Sequence, residues 1–506
     1  MVTLLRYDGT NLLGQAALLV GVYLVGGVIW RLFFHRLSKI PGPRLAALTG
    51  WYEFYQDVIL DGNYIREYPK LHEKYGPVVR ISPNGLHVQD LSFYREVYSH
   101  GTKYMKDPSF YEAFGVKHSL LMFVNQAEHK ERYDIIKSVF SRQSIEKLAP
   151  SVLSIVERGL KRAQQTIDEG RPWDIQQVYR SVTVDTVTRV LFDKSLNLIE
   201  SEDPNPPFLR AMDTFSDRVM TAKHLPVLNR IAVRLPLSFA NLVAPGYVQF
   251  RLECAKWIEE VAERHNRGVY TAEGGRPTLL DLLLRPNEEK GHKTPSHESL
   301  VDESFIFCFA GTDTTSYALS YSTYYLLTHP DKMEKLREEL RQVPRNAKGL
   351  LEYRDVCHLP YLSAVIKESL RAGTPIPGNL PRVVPEGGAY VDGKFIPPGA
   401  IVQSAIRPIH YNGDIFENPT EWIPERWLAD DTSDIDKWLV PFSKGSRSCI
   451  GFVIAYLELY LCLANFFLLL DMELYDTDEA SMKWRDYGTA RNFKHVKVKV
   501  NKVRVE

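Results

Sequence analysis

The chain has 506 residues, 44% hydrophobic and 25% charged, an ordinary globular composition with ample material for a core, which excludes a disordered chain. Lysine plus arginine equals aspartate plus glutamate at 62 each, so no global field draws nucleic acid or an acidic partner. The five cysteines, Cys254, Cys308, Cys357, Cys449 and Cys462, are odd in number and lack the paired spacing of zinc sites or disulfide scaffolds, which fits a reducing compartment.

Leu12 to Trp30 offers nineteen residues with Gln15 as the only strongly polar one. As a helix this run is about 28 Å long, close to the roughly 30 Å hydrocarbon core of a bilayer. Arg31, His35, Arg36, Lys39 and Arg44 follow it and only Arg6 and Asp8 precede it, so the positive-inside rule places the body of the protein in the cytosol. A cleaved signal peptide is the alternative, but its apolar region is usually shorter and its positive charge comes first. The chain therefore divides into a lumenal N-terminus at 1–11, a single transmembrane anchor at 12–30, a basic and Pro-rich hinge at 31–44 and one large domain at 45–506. Ile40-Pro41-Gly42-Pro43 ends any helix, because proline cannot donate and the residue before it avoids the α region.

Gly76 to Val88 alternates around Pro83-Asn84-Gly85, a hairpin signal. Gly101 to Phe123 carries Tyr104, Phe110, Tyr111, Phe114 and Phe123 without a clear period and reads as a packed loop. Glu128 to Tyr133 opens a helical segment, and the stretch from Ser144 to about Asn266 reads as helices with breaks at Gly170-Arg171-Pro172 and from Asp203 to Pro207. Ser299 to Thr328 is a long helix, apolar on most faces and hence buried. Its middle, Ala310-Gly311-Thr312-Asp313-Thr314-Thr315, joins poor helix formers to an acid that is costly in a buried helix without a partner. Such a run is either a kink satisfied by threonine back-bonding or a site.

Glu368 and Arg371 place opposite charges at i and i+3 on one helix face, and Trp422 to Trp427 holds Arg426. Ala389 to Ile396 reads as a hairpin around Asp392-Gly393, and Val496 to Val500 alternates as a final strand. Between them lies Pro441-Phe442-Ser443-Lys444-Gly445-Ser446-Arg447-Ser448-Cys449-Ile450-Gly451, which leads into an apolar run from Phe452 to Leu470. A helix beginning just after Cys449 points its positive end at the sulfur and is expected to lower its pKa, favouring the thiolate that ligates metals. Two glycines bracket the cysteine where backbone must turn tightly or let a flat ligand approach, and Arg447 can offer donors to a carboxylate of that ligand. A lone cysteine opening a core helix is the plain alternative.

This stretch resembles the F-x-x-G-x-R-x-C-x-G haem loop of the cytochrome P450 family, matched at Phe442, Gly445, Arg447, Cys449 and Gly451. A chance match is expected about once in ten thousand chains of this length. Ala310 to Thr315 matches the family's A-G-x-D/E-T-T motif, and Glu368, Arg371 and Arg426 resemble its E-x-x-R and P-E-R-F/W motifs, with Trp427 where phenylalanine is more usual. The resemblance implies a mainly α fold with small β-sheets, the cytochrome P450 fold, preceded by a single transmembrane helix. It implies haem b (iron protoporphyrin IX) with Cys449 as axial thiolate, which pushes electron density toward iron and favours O–O cleavage. It implies small residues at Ala310 and Gly311 that leave room for dioxygen, and Asp313 and Thr314 supplying protons. Glu368, Arg371 and Arg426 would form a structural charge network.

The family's Trp-x-x-x-Arg propionate contact falls on His129 and Tyr133, which do not match it; His129 can still donate and Arg132 is adjacent, or these are surface helix residues. Arg382 stands where the family often binds a propionate. The 101–123 loop and Ile376 to Leu380 would border the substrate pocket, and the stretch with Phe208, Phe215, Leu225, Leu228 and Leu235 lies where the family has a mobile lid. The implied reaction is monooxygenation of an apolar small molecule with dioxygen. The chain has no G-x-G-x-x-G or Walker-type loop, so the implied electron donor is a separate NADPH-cytochrome P450 reductase on the same endoplasmic reticulum membrane, with cytochrome b5 as a further donor the resemblance admits. The motif wording resembles fungal members that modify terpenoids or polyketides in secondary metabolism. A haem-thiolate isomerase, dehydratase or peroxide-using enzyme is the alternative, against which intact Asp313-Thr314 argues; a haem-binding protein without turnover is a third reading.

Overall fold

A helix of 32 residues, His297–Thr328, runs through the middle of the molecule in the computed structural model, which describes residues 9–203, 205–228, 239, 245–270, 276–285 and 292–504. Ser296 caps it by accepting from the Ser299 amide. Its many hydroxyls are buried without breaking it, because Ser304, Thr312, Ser320 and Thr323 each donate to the carbonyl four residues back. The expected threonine back-bonding is present, and the helix continues through it. The central helix packs most extensively on Ile175–Phe192, and also on Pro245–Asn266, Pro360–Gly373 and Phe452–Leu469.

Local chemistry sets the neighbouring ends. Asp174 caps Ile175–Phe192 by accepting from Gln177 N, and Asp193 closes it in the left-handed region at φ 59°. Ser141 caps Arg142–Asp168, and Pro207 opens Pro207–His224 at a position where a missing N–H costs nothing. The expected breaks at 170–172 and 203–207 separate these helices.

Among the described residues two helices are apolar and long enough to cross a bilayer, and burial tells them apart. Phe452–Leu469 is 78% buried and is a core helix, whereas the Gly14–Phe34 span has none of its length buried. The N-terminal helix runs Gly9–Ile29 and continues as a wider turn over Trp30–Phe34, so helical structure extends into the segment read as hinge before the chain turns extended through Gly42.

The sheets are small. A five-stranded sheet runs in the order Val78–Arg80, Gly85–Val88, Ile401–Gln403, Arg382–Val383, Met105–Lys106, with only the Gly85–Val88 and Ile401–Gln403 pair parallel. The first two strands form the expected hairpin around Pro83-Asn84-Gly85, and Ala389–Val391 pairs with Lys394–Ile396 around Asp392-Gly393, both at positive φ. The final strand, Lys497–Val503, pairs with Trp173–Asp174 and Leu470–Leu474. A large helical core and a smaller core beneath the five-stranded sheet meet at residues 438–450, where Trp438 and Val440 belong to the sheet side and Phe442 and Ile450 to the helical side. Leu235, counted with the lid at the sequence level, lies outside the described residues.

Candidate functional site

The loop between the two cores is built to hold Cys449 still. The Cys449 amide donates to the Phe442 carbonyl at 2.9 Å, and Ser448 N donates to Gly445 O at 3.1 Å. Gly445 has φ +74°, and a Cβ there would lie 2.5 Å from the Tyr98 carbonyl oxygen and also strike that of Ser99, so no other residue fits. Gly451 has an ordinary φ of −84°; its bare face lies toward Cys449, where a Cβ would sit 3.9 Å from Sγ.

Cys449 is solvent-accessible although protein surrounds it closely, so its sulfur lies on the wall of an internal space. Burial pushes its thiol pKa up, with the Gly451 amide acting the other way. The expected lowering by the helix N-terminus is thus overturned: the helix begins at Phe452, beyond the Gly451 cap, and desolvation outweighs one backbone donor. A thiol in this setting loses its proton when a metal binds it.

Above this loop four basic side chains converge. Arg382 donates to the Tyr111 hydroxyl at 3.0 Å and to the Pro381 carbonyl, and lies over the Tyr98 ring. Arg447 donates to the carbonyls of Phe123, Val124 and Asn125. Lys106, which sequence reasoning missed, sits directly opposite Arg382 in the antiparallel pair, donates to the Leu121 carbonyl and lies 4.4 Å over the Tyr111 ring. Burial, then Arg382 and Arg447, hold the Lys106 pKa well below its ordinary value. Burial and Arg382 bring Arg447 down to about 10, and burial, Arg447 and Lys106 bring His129 to about 3.

Among the described residues no carboxylate forms an ion pair with any of the four. Like charges facing one another in a buried strand pair are unfavourable until an anion joins them. The donor set, one accessible sulfur and a cradle of two guanidiniums, an amine and an imidazole, fits a planar macrocycle carrying two carboxylates and a metal. His129 belongs to this cradle. Tyr133 stacks on His129 and is 37% exposed, and Arg132 turns away to pair with Glu303 at 2.7 Å, so neither completes it.

The central helix has an open face of its own. Along its buried length Phe307, Ala310, Gly311 and Thr314, at i, i+3, i+4 and i+7, are the partly accessible residues around the acid–alcohol run. Ala310 and Thr314 belong to this open face, and the Thr314 hydroxyl donates to Ala310 O at 2.8 Å. Gly311 has a second task, since a Cβ there would lie 3.3 Å from Val187 of the adjoining helix.

Asp313 points the other way. Its Oδ1 accepts from Arg180 Nε at 2.8 Å, and its Oδ2 is buried without a partner. Arg180 also binds Asp213 at 2.8 Å, and Arg491 joins Asp213 to Asp217, which is 61% exposed. This polar line runs from the acid to the surface. Behind Cys449, buried Glu458 bonds Thr186 and Thr315, and burial holds its carboxyl pKa well above the ordinary range.

The third group is structural. Arg371 grips Glu368 with two bonds, at 2.7 and 2.9 Å, and donates to the carbonyls of His410, Pro419 and Glu421. Arg426 Nε reaches Glu368 at 3.2 Å. The Trp427 indole N–H also donates to Glu368, at 2.9 Å, a bond phenylalanine could not make.

Residues 41–500 match the family model described as Cytochrome P450. Cytochrome P450 monooxygenase BOT1 of Botryotinia fuckeliana is 47% identical over 494 residues, 97% of this chain and 96% of that protein. Cytochrome P450 monooxygenase ankB of Aspergillus thermomutatus is 37% identical over 95% of this chain and 92% of its own length. Cytochrome P450 monooxygenase aneF of Aspergillus aculeatus is 36% identical over 93% and 95%.

Proposed function

The chain belongs to the cytochrome P450 family and is a haem-thiolate monooxygenase; on that premise we propose that it oxidises an apolar small molecule, a terpenoid or polyketide of fungal secondary metabolism, at the endoplasmic reticulum membrane. The observation that carries the reading is the pairing of an accessible Cys449 with a carboxylate-free cradle of Lys106, Arg382, Arg447 and His129. Haem, when bound, supplies reductive activation of dioxygen and insertion of one oxygen atom into substrate. Cys449 would ligate its iron, and the cradle would neutralise its propionates.

The chain's own contribution is positioning and proton supply. Arg180 holds Asp313 one residue from Thr314, at the inner end of an ion-pair line that reaches the surface at Asp217; its arginines stay protonated and order that line, and water beside it would carry protons to the Asp313 carboxylate. The Thr314 hydroxyl lies on the open face and passes the proton inward. Phe110 meets Phe114, and Phe215 meets Phe305 and Phe309, two aromatic clusters on the side we assign to substrate, which favours an apolar substrate. Glu368 with Arg371 and Arg426 fixes the segment preceding the Cys449 loop.

Electrons come from a separate redox partner, for which we propose an NADPH-cytochrome P450 reductase, with cytochrome b5 as a second donor. The uncovered anchor and the exposed side chains of Trp51, Tyr55, Ile59, Val227 and Leu228 near its end support a membrane-facing side, with the domain in the cytosol.

The test compares wild type with Cys449→Ala by the absorption spectrum of the reduced, carbon-monoxide-bound protein. A long-wavelength Soret band only in wild type is expected. A histidine-type band in wild type, or the same band in both, overturns the assignment. Product formation that requires NADPH, reductase and dioxygen together is expected, and full turnover without them overturns the monooxygenase reading.

A further inference from the structure

The helix Pro207–His224, whose Phe215 packs on Phe305 and Phe309 of the central helix beside its open face, ends in two basic residues bonded away from their own helix. Lys223 Nζ donates to Glu53 and, at 3.0 Å, to Asp57, while His224 Nε2 lies 2.9 Å from the same Asp57 oxygen. The four side chains are 8–20% exposed. Burial raises the Asp57 pKa, but Lys223 and His224 outweigh it and hold the carboxylate ionised, and the two acids keep the Lys223 ammonium charged. Glu53, Asp57 and His224 stand close enough to ligate a metal, but the ammonium already bridges the two carboxylates, so the group is an ion cluster.

Segments that the resemblance places at the pocket meet at this cluster. The ammonium lies 6.0 Å over the Phe110 ring, and Phe54 meets the His224 ring edge-on. On the other side the Asp486 carboxylate packs against Gly378, where a Cβ would lie 2.9 Å from Oδ2, and Gly488 of the same turn faces Val219 of the helix. The partner segment around Glu53 and Asp57 has little apolar burial of its own: Trp51 is 63% exposed and Ile59 60%. The tie across this seam is thus largely ionic, and ionic ties between partly hydrated groups open more readily than packed apolar ones.

We propose that Glu53, Asp57, Lys223 and His224 form an ionic latch across the entrance of the substrate pocket, and that its opening sets the rate at which apolar molecules enter. The proposal rests on the haem-pocket reading above. Two readouts on the full chain separate them: hydrogen–deuterium exchange of residues 207–224, which needs no haem, and stopped-flow binding of 4-phenylimidazole to the ferric protein, which does.

Lys223→Met is expected to quicken both exchange and azole entry by at least about tenfold, with the carbon-monoxide spectrum unchanged. The charge-swapped pair Glu53→Lys with Lys223→Glu returns both to within about threefold of wild type. Unchanged exchange or unchanged entry in Lys223→Met overturns the latch, as does a swapped pair that stays fast, which assigns the effect to packing. Should Lys223→Met not fold, Glu53→Gln, which removes one of the two carboxylates, carries the same test with the same signs. Absence of any azole shift in wild type would refute the haem reading, while exchange still decides the latch.

Discussion

Lys106 stands opposite the Arg382 guanidinium in a buried strand pair, where burial, Arg382 and Arg447 disfavour its charged form. Replacing it with an isosteric apolar residue has opposite effects on two states. Lys106→Met is expected to raise the thermal stability of the haem-free chain by about 1–2 kcal/mol, because a buried amine with no carboxylate partner is removed, and to speed loss of haem from the loaded protein. Equal loss of stability in both states would mean the lysine is a packing residue. Asp313 and Arg180 divide differently. Asp313→Asn leaves Arg180 paired with Asp213, so the fold holds while product formed per NADPH consumed falls; Thr314→Ala shows the same uncoupling. Arg180→Leu strands Asp313, while Asp213 keeps Arg491, and is expected to cost about 3 kcal/mol in chemical denaturation.

Elements carry their own predictions. In Phe452–Leu469 Glu458 is protonated beyond its ordinary range, so the folded chain binds a proton that the unfolded chain releases. Its contribution is complete below the usual carboxyl pKa of 4.5 and is lost as pH rises toward the raised folded value. Glu458→Gln, which is neutral in both states, should therefore gain stability relative to wild type with rising pH across the neutral range, by up to about 1.4 kcal/mol per unit, and a constant difference would contradict this. Trp427→Phe should lose about 1–2 kcal/mol, by removing one donor from the buried Glu368 carboxylate, without altering the haem spectrum.

Elements also show what a linear chain makes legible. The turns at Asn84-Gly85 and Asp392-Gly393 were readable because their chemistry is contained in two residues. The central helix was readable because its length and apolar character are continuous. The strand Met105–Lys106 has two residues and no period, and its partner Arg382 is remote in sequence, so the cradle it completes was hidden. Arg180 looks like any arginine among polar and apolar neighbours until its helix packs on Asp313. The Cys449 pKa went the other way from its local signal because burial is a property of the assembled fold, not of the loop.

At the scale of the molecule, the uncovered N-terminal helix is a candidate anchor, and Trp51, Tyr55 and Ile59 on the segment that follows it are exposed. Deleting residues 1–34 is expected to leave a chain that still binds neutral phospholipid vesicles in high salt, through Trp51, Tyr55, Ile59 and Val227, and serine at those positions should release it. Salt-sensitive binding would instead assign the contact to the basic residues after the anchor. The cation cradle also bears on biogenesis. A fold that gathers like charges before their counter-ion arrives is least stable just after synthesis, when proteases sample it most. Haem supply is then expected to set how many newly made chains survive, so the abundance of this protein would report the cell's haem economy before any question of catalysis arises.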